Sequence, residues 1–169
     1  MKFIKKNKGF TLLEIIIVVA IIAVLAVILL PRLARVRQPA NDARRINDLR
    51  TIQGFLETYY LKNRYYPSPS VANTQELVGY GSNGASSCSG ICAILTNPAD
   101  QVTASVPDDP TAGFDYYYAA DSNSNAQSYV LKAILQESSS ASLDNDVDGT
   151  ALGMDCDGGT PETAYCIQF

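Results

Sequence analysis

Carboxylates stand at alternate positions in Asp144-Asn145-Asp146-Val147-Asp148-Gly149, and the glycine lets the chain curl behind them. That spacing aims several hard oxygens at one cation, as in the loops that bind calcium. At the twelfth position of the loop, Asp155 takes the place where a longer Glu is usual, so its reach is shorter. The candidate ligands are Asp144, Asp146, Asp148 and Asp155, with Asp157 as a substitute, and the cofactor expected is a structural Ca²⁺. The same residues also fit a solvated acidic turn, since Asp-Gly pairs are common in turns. Four cysteines, Cys88, Cys92, Cys156 and Cys166, lie in the distal half. Their even number behind an export-type segment predicts two disulfides in an oxidising compartment. Local pairing, Cys88 with Cys92 and Cys156 with Cys166, is preferred among three connectivities. Free or metal-bound thiols are the other reading, against which the spacing speaks.

The chain has no His, which removes the commonest general base and metal ligand. No Ser/His/Asp set, phosphate-binding loop or catalytic metal site is visible, so neither an enzyme nor a catalytic cofactor is expected. Thirteen Lys and Arg stand against seventeen Asp and Glu, a formal net charge of −4. Loss of residues 1–9 with their four lysines would leave nine against seventeen, or −8. A distal region this acidic predicts no direct nucleic-acid site.

The third chemistry is at the amino terminus. From Phe10 to Leu30 there are 21 residues whose only polar members are Thr11 and Glu14. As a helix this run would be about 32 Å long, enough to span the apolar core of a bilayer. Lys2, Lys5, Lys6 and Lys8 precede it, which places the amino terminus in the cytoplasm by the positive-inside rule. Gly9 lies before the apolar run rather than after it, so cleavage there would leave the helix on the mature protein. Cleavage would also give Phe10 a cationic amine, and Glu14 of one copy could neutralise Phe10 of its neighbour in a staggered bundle. An unpaired buried charge costs on the order of several kcal/mol, so such a pair selects one axial register. Alternatively, Glu14 simply reaches for the interface.

These sites need scaffolds. Ala43, Ile46, Leu49, Ile52, Leu56 and Tyr59 recur at helical spacing between Ala40 and Lys62, giving an amphipathic continuation of the long helix. Pro31 either kinks the helix or marks the end of its apolar part, and Asn41 could cap a restart after Pro39. Asn63 to Pro67 should end the helix. Residues 114–119 and 128–135 are rich in strand formers and flank the turn Asp121–Asn125, predicting an antiparallel hairpin. Residues 165–169 read as a third strand. The connection 68–113 is irregular, with a short helix around Gln75 to Val78.

Lys8-Gly9-Phe10-Thr11-Leu12-Leu13-Glu14, read with the apolar run behind it, closely resembles the leader junction of type IV prepilins. The resemblance implies a leader peptide over 1–9, cut between Gly9 and Phe10 by a prepilin peptidase, with N-methylation of Phe10. Phe10 and Glu14 would then be the assembly residues. More loosely, Tyr59-Tyr60, the Asn63–Pro67 segment, residues 114–118 and Tyr129-Val130-Leu131 look like pilins related to the major pseudopilin of type II secretion. That likeness adds a structural calcium near the carboxyl terminus. The implied fold is α+β, the pilin fold, with a long amino-terminal helix packed on a small antiparallel sheet. It divides into a hydrophobic membrane and filament-core helix over 10–39 and a soluble head over 40–169. The implied function is a structural subunit that waits in the cytoplasmic membrane, among lipid, and then polymerises with copies of itself into an extracellular or periplasmic filament. Its other partners would be the inner-membrane assembly machinery and the peptidase. A membrane-anchored extracellular binding module that never polymerises is the alternative.

Overall fold

A computed structural model describes residues 10–68, 75–77, 90–100, 102–121 and 125–169, without the side chains of 28–36 and 75–77. The expected leader, Cys88 and most of the turn at 121–125 lie outside the described residues. The chain divides into two units, Met1–Arg37 and Gln38–Phe169.

Helix α1 runs from Leu12 to Asn63. Thr11 starts it by accepting the Glu14 amide on both its carbonyl oxygen (3.1 Å) and its Oγ1 (3.3 Å). Thr-x-x-Glu at a helix start is a capping-box sequence, and the hydroxyl satisfies one of the orphan amides of the first turn. The helix does not stop at Pro31 or restart after Pro39. A proline removes one ladder hydrogen bond and crowds the preceding turn, but the ladder on either side can carry the helix past it. Beyond Asn63 the backbone leaves the helix through Arg64, whose φ of 67° is left-handed, and the Arg64 amide closes on the Tyr60 carbonyl at 2.7 Å.

Within Gln38–Phe169, α1 packs on a four-stranded antiparallel sheet in the order β1-β2-β3-β6. The strands are β1 (Gln75–Leu77), β2 (Tyr116–Ala120), β3 (Tyr129–Ile134) and β6 (Ala164–Gln168), and a two-stranded ribbon is made by β4 (Thr150–Ala151) and β5 (Met154–Asp155). The α+β architecture is thus the expected one, and three of its strands fall where alternation and strand formers placed them. The short helix expected around Gln75 is instead strand β1, with Gln75 opposite Tyr118 and Leu77 opposite Tyr116. A single turn has no helical stability of its own, and the free edge of β2 offers it partners. In the connection that read as irregular, helix α2 (Ile91–Leu95) buries Ile91, Cys92 and Leu95.

The sheet is covered on both faces, as its two-residue alternation requires. Tyr116, Tyr118, Tyr129, Leu131 and Tyr165 join Leu49, Ile52, Leu56 and Tyr59 of α1 in the main core. Ala119, Val130 and Cys166 point the other way and pack with Ala151, Met154 and Cys156 in a second core. The acidic segment after β3 is therefore a lid on the sheet's outer face. Ala43, expected in the buried stripe, is exposed, whereas Asp42, Arg45 and Asp48 are buried. Arg45 grips Asp109 with two hydrogen bonds (2.7 and 2.9 Å) and Asp42 with a third (2.6 Å). Its guanidinium lies 4.8 Å from the centre of the Phe114 ring. Asp42 also accepts the amides of Gln136 and Glu137 beyond β3, and Asp48 accepts the Tyr116 hydroxyl. Burial works against the Arg45 charge, but the hydrogen bonds and charges of Asp109 and Asp42 outweigh it and raise its pKa.

Candidate functional site

Two groups of residues carry chemistry, one at each end of the chain. At the amino-terminal end, Phe10 is 80% exposed, and Leu12, Leu13, Ile16 and Ile22 are likewise more than half exposed. Every side chain described from Phe10 to Leu25 is exposed, and the one acid among them is Glu14, at the third position of the helix. An apolar surface running all round a helix is unsuited to water and calls for lipid or neighbouring helices. Among the described residues no helix is long and apolar enough to cross a membrane. The apolar run of the sequence continues to Leu30, past Val27, the last residue before the side chains that are not described. Gly9, on the leader side of the junction, lies outside the described residues.

At the other end, the acidic lid begins with the 3-10 turn Leu143–Asn145, anchored by buried Leu143. Asp146 follows and accepts the Cys166 amide on Oδ2 at 2.7 Å, while the Val147 amide donates to the Cys166 carbonyl at 3.2 Å. These bonds tie the lid to β6. Gly149, with φ of 76°, turns the chain back, and its carbonyl accepts the Cys156 amide at 2.8 Å. Asp146, Asp148 and Glu162 each bring a carboxylate oxygen to within 4.8 Å of the others. Among the described residues, Oδ1 of Asp146 and Oε1 of Glu162 are buried without a hydrogen-bond partner. Burial, then the charges of Glu162 and Asp148, push the Asp146 carboxyl up to about 6, against the lowering effect of the Cys166 amide.

The structure thus joins two of the expected ligands, Asp146 and Asp148, with a residue the sequence pattern did not single out. Asp144 and Asp155 are exposed and are not in the group. Asp155 instead caps the Asp157 amide at 3.1 Å, and Asp157 accepts the Gly149 amide at 2.7 Å. The β4–β5 ribbon sets Asp155 opposite Thr150. Glu162 reaches the group from the far side of a ring closed by the Cys156–Cys166 disulfide. That bond is one of the two local pairings expected. Cys92 is also in a disulfide, and its expected partner Cys88 lies outside the described residues. Three clustered acids, two of them with an orphaned buried oxygen, suit a hard divalent cation, which takes oxygen ligands from carboxylates, backbone carbonyls and water.

Residues 4–30 match the family model described as "Prokaryotic N-terminal methylation motif". The amino terminus thus carries that methylation motif. The chain is similar to the type II secretion system core protein G of Escherichia coli (strain K12), at 37% identity over 68 residues, 40% of this chain and 47% of that protein. It is 35% identical over 68 residues to the core protein G of Vibrio cholerae, again 40% of this chain and 47% of that protein. Against that of Klebsiella pneumoniae it is 37% identical over 64 residues, 38% and 46% of the two chains. The chain thus spans about half the length of the curated relatives it matches. No solved structure matches it significantly. The matched residues 4–30 include Phe10 and the exposed apolar surface that follows it.

Proposed function

We propose that this chain is a structural subunit of a type IV pilus or pseudopilus, polymerised through the apolar part of α1. One observation carries the reading. The segment that matches the methylation motif continues into a helix that exposes apolar side chains all round, with a single acid at its first turn. In this account the precursor sits in the cytoplasmic membrane with its amino terminus in the cytoplasm. A prepilin peptidase cuts after Gly9, and the new amine of Phe10 is methylated. Assembly machinery in the inner membrane then lifts the subunit from lipid into a helical filament outside that membrane. Glu14 pairs with the Phe10 amine of an adjacent copy, because leaving either charge unpaired among apolar side chains is costly. The relatives are named for type II secretion, which favours a pseudopilus.

The head is proposed to hold a structural Ca²⁺ through Asp146, Asp148 and Glu162. When bound, the ion would neutralise three mutually repelling carboxylates, and Asp146 would meanwhile keep its bond to the Cys166 amide. The orphaned oxygens support this ligand set over Asp144 and Asp155.

The test is co-expression with a prepilin peptidase and assembly machinery, followed by mass spectrometry and sedimentation of sheared filaments. The wild type should yield a chain starting at methylated Phe10. Glu14→Ala should be inserted and cut yet fail to enter filaments. Filaments of normal yield from Glu14→Ala, or a monomeric wild type after gentle extraction, would instead favour the non-polymerising membrane-anchored module.

A further inference from the structure

The Cys156–Cys166 disulfide spans a sequence separation of 10, and Glu162 lies inside the ring it closes. Both half-cystines are buried. Each is also bonded through its backbone to the acidic lid: Cys156 donates to Gly149, and Cys166 donates to Asp146 and accepts from Val147. Inside the ring the chain doubles tightly back, since a Cβ on Gly158 would lie 2.6 Å from the Ala164 nitrogen. Thr163 adds a hydrogen bond from its hydroxyl to the Gly158 carbonyl at 3.4 Å. Glu162 is therefore presented to Asp146 and Asp148 by a segment whose two ends are fixed by one covalent bond.

We propose that this disulfide and cation binding are thermodynamically coupled: the closed ring positions Glu162 as the third carboxylate, and a bound cation protects the bond from reduction. The inference rests on the cation reading given above. Three carboxylates held within 4.8 Å repel one another in the absence of a cation. Opening the ring lets Glu162 withdraw, which relieves that repulsion and removes one ligand. A cation reverses the preference, because it stabilises the arrangement in which Glu162 stays. Reciprocity then follows: whatever factor ring closure adds to cation affinity, the cation adds to the stability of the closed ring. Reduction by dithiothreitol delivers two electrons and two protons to Cys156 and Cys166, and the reagent leaves as its own cyclic disulfide. Calcium should therefore oppose this exchange at Cys156–Cys166 and leave the disulfide at Cys92 untouched.

The experiment uses the full chain in detergent, with Ca²⁺ as the probe. Calorimetric titration of Cys156→Ala/Cys166→Ala and of Glu162→Gln should each show affinity reduced at least about 10-fold, the loss usual when support of a metal ligand is removed. Asp144→Asn should match the wild type. In the reverse arm, the wild type is treated with dithiothreitol and an alkylating reagent, and labelling is followed by mass spectrometry. At equilibrium in mixtures of reduced and oxidised dithiothreitol, saturating Ca²⁺ should lower the ratio of labelled to unlabelled Cys156 and Cys166 by about the same factor, with Cys92 as the internal reference. The reverse arm uses the intact protein, so it decides the matter even if the double variant fails to fold. Calcium that binds without altering the labelling of Cys156 and Cys166 would overturn the coupling while sparing the cation reading. A wild type that binds no calcium would overturn both.

Discussion

Replacing Arg45 with Met removes the only cation buried among three acids of the described core, and the structure says where the cost falls. The side chain is fully buried and makes three charge-assisted hydrogen bonds. Asp42 keeps the amides of Gln136 and Glu137, at 2.9 and 3.0 Å, so it remains solvated by the backbone. Asp109 is the exposed weakness. Its side chain is 1% accessible, and without Arg45 its carboxylate keeps the Thr111 amide at 2.8 Å. Breaking a buried pair in this way typically costs about 3–5 kcal/mol, against total stabilities of about 5–15 kcal/mol for ordinary domains. Urea unfolding of the full chain in detergent, followed by tyrosine near-ultraviolet circular dichroism, should show a loss of that size. Arg44→Met is the control. Arg44 is 60% exposed and 3.6 Å from Asp48, so its loss should cost below about 1 kcal/mol. Arg45→Met/Asp109→Leu should recover part of the stability, because replacing a whole buried pair with apolar groups is often neutral. An Arg45→Met chain within about 1 kcal/mol of wild type, or a double variant less stable than the single one, would refute the reasoning.

Two further outcomes follow from the core and the lid. Burial first, and hydrogen bonding next, raise the Tyr59 and Tyr66 hydroxyls from 10.0 to about 12. A raised folded pKa means stability that is complete below about 10 and is lost as pH climbs towards 12; tyrosinate absorbance should therefore appear together with unfolding, and independent titration of these rings near pH 10 in folded protein would contradict it. Gly158→Ala should destabilise by more than about 1 kcal/mol, since φ there is +67° and the new methyl meets the Ala164 backbone. Gly54→Ala, in an exposed helical position with nothing within 4 Å, should stabilise by about 0.5–1 kcal/mol; thermal melts that rank the two the other way would overturn both arguments.

The architecture was legible wherever a single element carries its own period. Leu49, Ile52 and Leu56 announce a helix face, and the tyrosines of β2 and β3 announce alternation. Strand β1 and helix α2 were not legible, because three and five residues acquire their form from the neighbours they meet. The burial of Asp42, Arg45 and Asp48 was not legible for a related reason. Their burial depends on Asp109, Tyr116 and the amides after β3, which lie far away in sequence. The same distance hid Glu162, fourteen residues beyond Asp148. Its one local sign was its place between two cysteines expected to pair. The Thr11–Glu14 cap, by contrast, was open to reading as a helix start, although the same Glu also suits assembly.

Strand β6 follows in sequence every other element of the sheet it completes, pairing with β3 from Val130 opposite Gln168 to Ile134 opposite Ala164. During synthesis it is therefore the last of these elements to leave the ribosome. Until then β3 has an open edge, Asp146 lacks the Cys166 amide, and Cys156 has no partner. The unit Gln38–Phe169 therefore cannot mature segment by segment as it emerges. An emerging chain must be kept from pairing its open β3 edge with another copy, and Cys156 cannot be oxidised to its proper partner until Cys166 has been made. Pairing of β6 with β3 is thus the step that separates a finished fold from an unfinished one.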